Sequence, residues 1–520
     1  MQNIIKFKYL PIILILLTAF LFRFYNFHNL QYWSGDEEIA SAVVRRMIFE
    51  KRLTLVSPNL AVNSLGSFFH ILSVPLFVLT KLDPIKIELF MSFLGVITAI
   101  ALYKAGKILL DTRVAFAASL LYSASFVIAL FDRRWWPLGL NQILATLAII
   151  SLFKIISQKK YKYSIILAAC IGFAANADPT IAVIAIVTIL SFLFLKIPLM
   201  RKEYLAALIT LAIFVAPIAI FEIRHPGSIT KPLSGTIIKT VQEEKSKKSF
   251  SVVNPIPTFS RLYFSRASNF AERHFCYCRV EDLTHFPSYA NLLILALLFY
   301  PLYRIVTQKK LKERKLLVCL YFFPLSFIFG STLYTFVYGN KIFDHYYTII
   351  FPAVSIILGY SLATLIKSRI LLATILTLFV IINLQTLLRS SFKYPLYEKN
   401  KLVSYVADKI GSSDFSLYSV GGGYMHGGGF TSLFILQDKH PKKSYIYPFY
   451  DWMYKAYSLY TVDPQTADQE KIVLIGSKNN FTTRLENIVH EKTINNLKAV
   501  ILDNSDGKFS EKSLPAFGID

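Results

Sequence analysis

The chain is predicted to be a polytopic α-helical membrane protein that ends in a small soluble α/β domain. Three observations lead there. Of its 520 residues, 54% are hydrophobic and mean hydropathy is +0.48, which soluble domains rarely reach. Apolar runs of about 20 residues, the length that crosses a bilayer, recur along roughly three quarters of the sequence. From about Phe392 the composition turns polar, with short apolar stretches between polar ones.

The net charge is +24 and the pI about 9.6. In a soluble chain that balance suggests nucleic acid. Here the basic residues sit largely in short loops between apolar segments, where topology and anionic membrane lipid account for them, so nucleic acid is not an expected partner. Four cysteines build no metal framework. Cys170 and Cys319 lie in apolar runs and read as packing residues. Cys276 and Cys278 form a lone C-x-C in a polar loop and read as two loop thiols.

The first apolar run, from Tyr9 to Phe24, follows Lys6 and Lys8. It lacks a small-x-small cleavage site and further spans follow, so it is expected to stay as a first helix with the N-terminus cytoplasmic. A long first outer loop, 24–85, follows. It opens on Tyr32-Trp33-Ser34-Gly35-Asp36-Glu37-Glu38. Ser34 or Asp36 caps a helix through Glu37, Ala40, Val44 and Ile48, with acids in its first turn and Arg45, Arg46, Lys51 and Arg52 toward its end, as the helix dipole favours. Apolar residues at 39, 43, 44, 47 and 48 give it one face for the membrane interface. Residues 65–80 are apolar but short and contain Pro75, which predicts a second interfacial or re-entrant helix.

Further spans are expected near 86–103, 114–131, 138–156, 163–177, 179–196, 204–222, 289–306, 316–337, 346–366 and 369–388. With the first they make about eleven. The loops this places inside carry Lys104, Lys107 and Arg113; Lys154, Lys159, Lys160 and Lys162; Lys196, Arg201 and Lys202; Arg304, Lys309, Lys310, Lys312, Arg314 and Lys315; Lys367 and Arg369. All are basic, as the positive-inside rule requires. An odd number of spans puts the C-terminal part outside. The transmembrane module is thus 1–390 and the extracytoplasmic domain 391–520. In that domain, Phe415–Val420, Lys471–Ile475 and Ala499–Leu502 read as buried strands, and 398–410 and 480–490 as helical. The glycine-rich stretch 421–429 matches no P-loop or dinucleotide fingerprint and reads as a flexible loop over the membrane site.

The polar chemistry gathers on the outer side. Asp36 stands at the foot of a helix, where lipid-level aromatics screen it from water, and suits a general base toward a hydroxyl or amine. Helix capping by an acidic first turn is the competing account. Glu37 and Glu38 point elsewhere, about 100° and 200° around the helix. Arg133 and Arg134, in Asp132-Arg133-Arg134-Trp135-Trp136-Pro137, run against the positive-inside trend and suit bidentate contact with a phosphate, or a salt bridge to Asp132. Arg224, His225, Lys341, His345 and Tyr346 also stand just above spans, where a lipid phosphate would lie. Asp178, beside Pro179, reads as an N-cap.

These features together resemble the GT-C glycosyltransferases, in particular the protein O-mannosyltransferase and aminoarabinose transferase group, glycosyltransferase family 39. The resemblance covers about residues 9–390 and rests on WSGDEE in the first outer loop, the helix after it, FDRRWWPLGLNQ, PIAIFEIRHPG and HYYTIIFP, in that order and on that side. It implies an integral membrane enzyme of the plasma membrane that takes a sugar from a polyprenyl-phosphate donor. The acceptor is a protein, a lipid or a glycan at the outer face. Asp36 and Glu37 form the chemical centre; Asp36 deprotonates the acceptor, and attack at the anomeric carbon expels polyprenyl phosphate with inversion. Arg133, Arg134, Arg224, His225, Lys341, His345 and Tyr346 are the candidates for holding the leaving phosphate.

Two stretches depart from the family pattern. Asn63-Ser64-Leu65-Gly66-Ser67 stands for the common His-Pro-Pro, and Asn176-Ala177-Asp178-Pro179-Thr180 for a Gln-x-His-x-Thr-like stretch. They leave the acceptor open, and the metal. Some relatives use a divalent cation, for which Asp36, Glu37 and Asp178 offer oxygens. A flippase or transporter for a lipid-linked saccharide is the alternative, and would place ionisable groups inside spans. An outer-face glycan polymerase or ligase is another, with the loop 223–288 supplying Arg224, Arg261, Arg266, Arg273, Arg279, His225, His274 and His285.

Overall fold

The computed structural model describes residues 2–33, 35–57, 65–177, 180, 182–198, 202–228, 230, 253–267, 284–285, 287–307, 310–338, 342–392, 394–420, 429–444, 467–481 and 485–509. Ser34, the side chain of Asp36, Asp178, Pro179, Lys341, Cys276, Cys278, the glycine-rich residues 421–428 and much of the loop 223–288 lie outside them.

The chain begins with α1 (Gln2–Phe24), followed by α2 (Gly35–Phe49), a short antiparallel pair β1 (Val56–Ser57) and β2 (Leu65–Gly66), and α3 (Phe68–Leu79). The helix α4 (Pro84–Leu109) starts where its sequence says it should. Asp83 accepts a hydrogen bond from the Ile85 amide, and Pro84 occupies the first helical position, where its missing N–H costs nothing. Asp111 caps α5 (Thr112–Ala124) in the same way, accepting from the Arg113 and Val114 amides.

The span expected at 114–131 is broken. The helix α6 (Phe126–Arg133) leaves α5 at 67°. Ser125 makes the break: its amide closes the last turn of α5, its extended backbone ends it, and its hydroxyl accepts from the Ile128 amide to start α6. Then come α7 (Asn141–Gln158), α8 (Ser164–Ala177), α9 (Ala182–Phe194), α10 (Glu203–Arg224), α11 (Ile256–Phe264), the short antiparallel pair β3 (Arg266–Ala267) and β4 (Thr284–His285), α12 (Tyr289–Thr307), α13 (Leu311–Tyr338), α14 (Phe351–Leu365) and α15 (Arg369–Arg389). Among the described residues, six helical segments are long and apolar enough to cross a membrane, or seven if the bent pair is one span. Shorter apolar helices, such as Ala182–Phe194 and Phe351–Leu365, occupy the other expected positions. Close helix approach depends on small residues. A Cβ on Gly359 would lie 2.4 Å from the Ala118 backbone nitrogen, so α14 meets α5 backbone to backbone there.

The C-terminal part is α/β. The amphipathic helix α16 (Leu396–Ile410) buries Leu396, Leu402, Val403, Val406 and Ile410 on one face. Five strands form a mixed sheet in the order β6 (Lys443–Ser444), β5 (Phe415–Val420), β7 (Lys471–Ser477), β9 (Leu497–Asp503), β8 (Ile488–Ile494). The β6–β5–β7 pairs are parallel, and β9 is antiparallel to both neighbours. Between β5 and β6 lies α17 (Phe430–Leu436). The described residues of the stretch 480–490, expected to be helical, form no α-helix: a 3-10 turn, Lys478–Asn480, stands at its start and residues 488–490 belong to β8. The reason is local. Ile494 pairs with Leu497 across Asn495-Asn496, and Asn495 takes the left-handed backbone (φ 51°) that a tight hairpin needs, so the preceding residues are drawn onto the sheet edge.

The expectation for α2 is corrected as well. It is not a helix with one face in the interface and another in water. Glu37, Glu38, Ser41, Val44 and Arg45 are all buried, beneath α3 on one side and α17 on another.

Candidate active site

One end of the bundle concentrates ionisable groups in a nearly dry setting. Its centre is the first turn of α2. Glu37 is fully buried and ion-paired with Arg134. The helical step of about 100° turns Glu38 away from that pair. Glu38 instead accepts from Arg45 Nη2 (2.9 Å), the Ser432 amide (3.1 Å), the Ser432 hydroxyl (2.7 Å) and, more weakly, the Trp33 indole N–H (3.4 Å). A carboxylate with that many donors is fixed in place. The two acids after Asp36 therefore reach in different directions, one to the turn after α6 and one to the C-terminal domain.

Aromatic rings wall this cluster. The Trp33 ring stacks on Trp135, centroids 5.6 Å apart, and Phe69 and Phe77 close around Trp135 at 5.2 and 4.8 Å. The Arg134 guanidinium lies over Trp136, 3.8 Å from its centroid, and 5.2 Å from that of Tyr32. Such faces favour a desolvated cation. The His345 ring meets Trp136 edge-on at 5.2 Å, and Tyr346 lies against His345 at 4.1 Å. Burial, and after it the Arg134 charge, push the His345 imidazole down to about 3, so it is neutral at physiological pH.

Two further groups complete the cluster. Glu88, one turn into α4, is 1% exposed; the Tyr32 amide faces it, but neither carboxylate oxygen completes a hydrogen bond. Its electrostatic neighbours are Glu37, Arg134 and Arg133. Lys399, from α16, is 5% exposed and donates to the Trp33 carbonyl at 2.8 Å. Burial pushes its ammonium down to about 8, against the pull of Glu37, Glu38 and Glu88.

The structure sorts the expected residues. It brings Glu37, Arg134, His345 and Tyr346 together. Arg133 is turned elsewhere: its guanidinium donates to the Phe22 and Tyr25 carbonyls at 2.8 and 2.9 Å, closing the C-terminal end of α1. Asp132 pairs with neither arginine beside it, but with Arg23 at 2.5 Å, and Tyr122 donates to it as well. Arg224 and His225 are exposed at the end of α10, where His225 rests on Phe221, and no described contact joins them to the cluster. Arg261 pairs with Asp344 at 3.0 Å, a buried strut between α11 and the turn before α14. Cys170 and Cys319 are buried free thiols within the bundle. Among the described residues no three His, Cys, Asp or Glu side chains gather as a metal site, and the oxygens of Glu37 and Glu38 are already engaged by cations and hydroxyls.

Glu38, Glu88, Arg45, Lys399 and Ser432 were not expected as site residues. Two of them left a signal. Glu88 is an isolated acid in the apolar run of α4. Lys399 falls in phase with Leu396, Leu402, Val403 and Val406 on the buried face of α16, where a lysine needs a partner. Ser432 left none.

Comparison with known proteins agrees with this architecture. Residues 71–221 match the family described as dolichyl-phosphate-mannose-protein mannosyltransferase. No curated protein matches the chain. The crystal structure of ArnT from Cupriavidus metallidurans bound to undecaprenyl phosphate is similar over 95% of this chain and 98% of that one, with a TM-score of 0.58 and 12% identity. Its apo state gives a TM-score of 0.58 over 96% of this chain and 98% of that one, again at 12% identity. The Archaeoglobus fulgidus oligosaccharyltransferase in complex with zinc and sulfate is more distant, with a TM-score of 0.44 and 11% identity over 89% of this chain and 67% of that one. The chain is thus a multi-pass membrane protein with the GT-C fold of membrane glycosyltransferases, and its residues 71–221 carry the pattern of the dolichyl-phosphate-mannose-protein mannosyltransferase family.

Proposed function

We propose that the chain transfers a sugar from a polyprenyl-phosphate donor to an acceptor at the outer face of the plasma membrane. On this reading the transmembrane module is 1–390, with eleven spans and a cytoplasmic N-terminus, and 391–520 lies outside the cytoplasm. The observation that carries the reading is the buried Glu37–Arg134 pair. It ties the turn that bears Asp36 to the Arg-Trp-Trp turn beside His345 and Tyr346, with Glu88 and Lys399 in electrostatic reach. The fold supports it too, since ArnT, which shares that fold, was captured with undecaprenyl phosphate.

The chemistry assigned to these residues is a direct displacement. The acceptor's O–H or N–H gives its proton to the Asp36 carboxylate. Its lone pair forms a bond to the anomeric carbon as the bond from that carbon to the phosphate oxygen breaks, with inversion. The leaving group is already a stable anion, so no general acid is needed. Arg134, with Tyr346 and Lys341, holds its developing charge, an electrostatic role that such sites commonly perform. The neutral His345 is suited to hydrogen bonding rather than to charge. Glu37 keeps Arg134 in place, and Glu38 fixes the turn.

The test uses purified protein in liposomes with a radiolabelled polyprenyl-phosphate hexose and membrane extract as the source of acceptor. Release of free polyprenyl phosphate with label appearing on an acceptor supports the reading. Label that merely crosses the bilayer, still on its lipid, overturns it in favour of a flippase.

A further inference from the structure

The C-terminal domain is bound to the catalytic turn at several independent points. Lys399 Nζ donates to the Trp33 carbonyl at 2.8 Å and lies over the Phe430 ring at 5.2 Å. Ser432, on α17, donates to Glu38 through both its amide (3.1 Å) and its hydroxyl (2.7 Å), and the same hydroxyl accepts from Arg45 at 2.5 Å. Gly429, the last residue of the glycine-rich stretch, has a left-handed φ of +81°, and a Cβ there would lie 2.7 Å from the Trp33 carbonyl oxygen. The connection into the domain is stitched to the same loop. The Phe392 amide donates to Asn29 O at 2.8 Å, the Leu396 amide to Gln31 O at 3.2 Å, and Asn26 Nδ2 to Ser390 O at 3.0 Å. These contacts fall on residues 26–38, on either side of Ser34, Gly35 and Asp36.

We infer that the C-terminal domain is a working half of the active site, with Lys399 and Ser432 as positioning residues that hold the Asp36–Glu38 turn in its reactive geometry. The reading of that turn as the chemical centre is assumed. Ser432 acts through Glu38, which it shares with Arg45. Lys399 acts on the backbone at Trp33 and on the charge balance. The groups facing it are Glu37 and Glu38 of α2, with Arg134 and Arg45 as their partners, and Glu88 of α4. A lysine offered for acceptor binding would point outward. This one is buried beneath its own domain and faces the first outer loop. The glycine at 429 has the same logic: it lets α17 start in contact with Trp33, which places the Ser432 amide within reach of Glu38.

A misplacement of about 1 Å costs a positioned site roughly a hundredfold in rate, without requiring a change in substrate affinity. The experiment measures polyprenyl phosphate release from a radiolabelled polyprenyl-phosphate hexose by full-length wild type, Lys399→Met, Lys399→Arg and Ser432→Ala. Thermal midpoints are taken in the same detergent. Lys399→Met and Ser432→Ala are each expected to lose at least about tenfold in kcat with donor KM within about twofold. The acid limb of the Lys399→Met pH profile is expected to move upward, because removing a cation raises the pKa of neighbouring carboxylates. Lys399→Arg, which keeps the charge, is expected to return that limb toward wild type.

The inference is overturned if both neutral variants keep wild-type kcat, or lose activity only in proportion to lost folded protein with the limb unmoved. If Lys399→Met does not fold, Ser432→Ala decides by its kcat alone. An Asp36→Asn control separates the two claims. An active control with inactive Lys399→Met and Ser432→Ala moves the base elsewhere and keeps the positioning role. An inactive control with unaffected neutral variants removes the positioning role alone.

Discussion

Arg134 and Glu37 form a buried ion pair across 97 residues of sequence. The pair locks the first turn of α2 to the turn that follows α6. Both side chains are almost wholly out of water, so the pair offsets part of the hydration each has lost. Removing one partner of such a pair costs about 3–5 kcal/mol, because a charge is left stranded, whereas replacing both by apolar groups is often close to neutral. Arg134→Met alone should therefore lower the thermal midpoint sharply. The double variant Arg134→Met/Glu37→Met should recover most of that loss yet remain at least about a hundredfold below wild type in donor turnover, since the cation proposed to hold the leaving phosphate is gone. Recovery of turnover along with stability would make the pair structural only.

Arg23 and Asp132 form the control case. They are as buried as the first pair, and Tyr122 and the Ser123 carbonyl complete their contacts. Their place is inside the bundle, between α1 and α6, and among the described residues neither contacts the first turn of α2. Asp132→Asn should cost stability by a few kcal/mol. The protein that remains folded should keep kcat and donor KM within about twofold. Thermal melts paired with activity normalised to folded protein check this, and a kcat loss beyond the folded fraction would place Asp132 in the reaction.

Gly359 tests the packing of the bundle. A methyl group there would press on the Ala118 backbone, which cannot swing aside as a side chain can. Gly359→Ala should destabilise by about 1–3 kcal/mol, the usual cost of overpacking. An unchanged melting temperature would mean that α5 and α14 separate easily.

Lys399 predicts a pH signature in stability. Its folded value of about 8 lies below the 10.5 of a free lysine. Between those values the unfolded chain binds more protons, so the lysine's contribution to stability rises with pH across that window. Compared with Lys399→Met, the wild type should gain in thermal midpoint from pH 8 to pH 10. Parallel curves for the two proteins would show that Lys399 ionises as freely as a surface lysine.

The pattern of apolar runs made the bundle legible, because spans must be long and continuous to satisfy the backbone in lipid. The break at Ser125 was not, since it depends on one hydroxyl and one extended residue inside an unbroken apolar run. The strands Phe415–Val420 and Lys471–Ser477 showed as short apolar stretches, while β8 did not. Its pattern, Ile-Val-His-Glu-Lys-Thr-Ile, is that of an exposed edge and is as polar as a surface helix. That Glu37, Arg134, His345 and Tyr346 lie near one another was legible, because charges and aromatics cluster at the ends of their apolar runs. Arg133 read the same as Arg134, but the end of α1 takes its guanidinium, and only three dimensions separate the two. Ser432 was invisible because nothing in a sequence links a serine in one domain to a carboxylate 394 residues away.

The central claim is that the turn at Asp36 carries the proton transfer. The most direct measurement compares wild type with Asp36→Asn in release of polyprenyl phosphate from a radiolabelled polyprenyl-phosphate hexose, under single-turnover conditions with membrane extract as acceptor. The asparagine keeps the size but cannot take a proton. The account predicts a loss of at least about a hundredfold in rate, the scale of a general base, with donor binding unchanged. An Asp36→Asn protein that turns over as fast as wild type would contradict it.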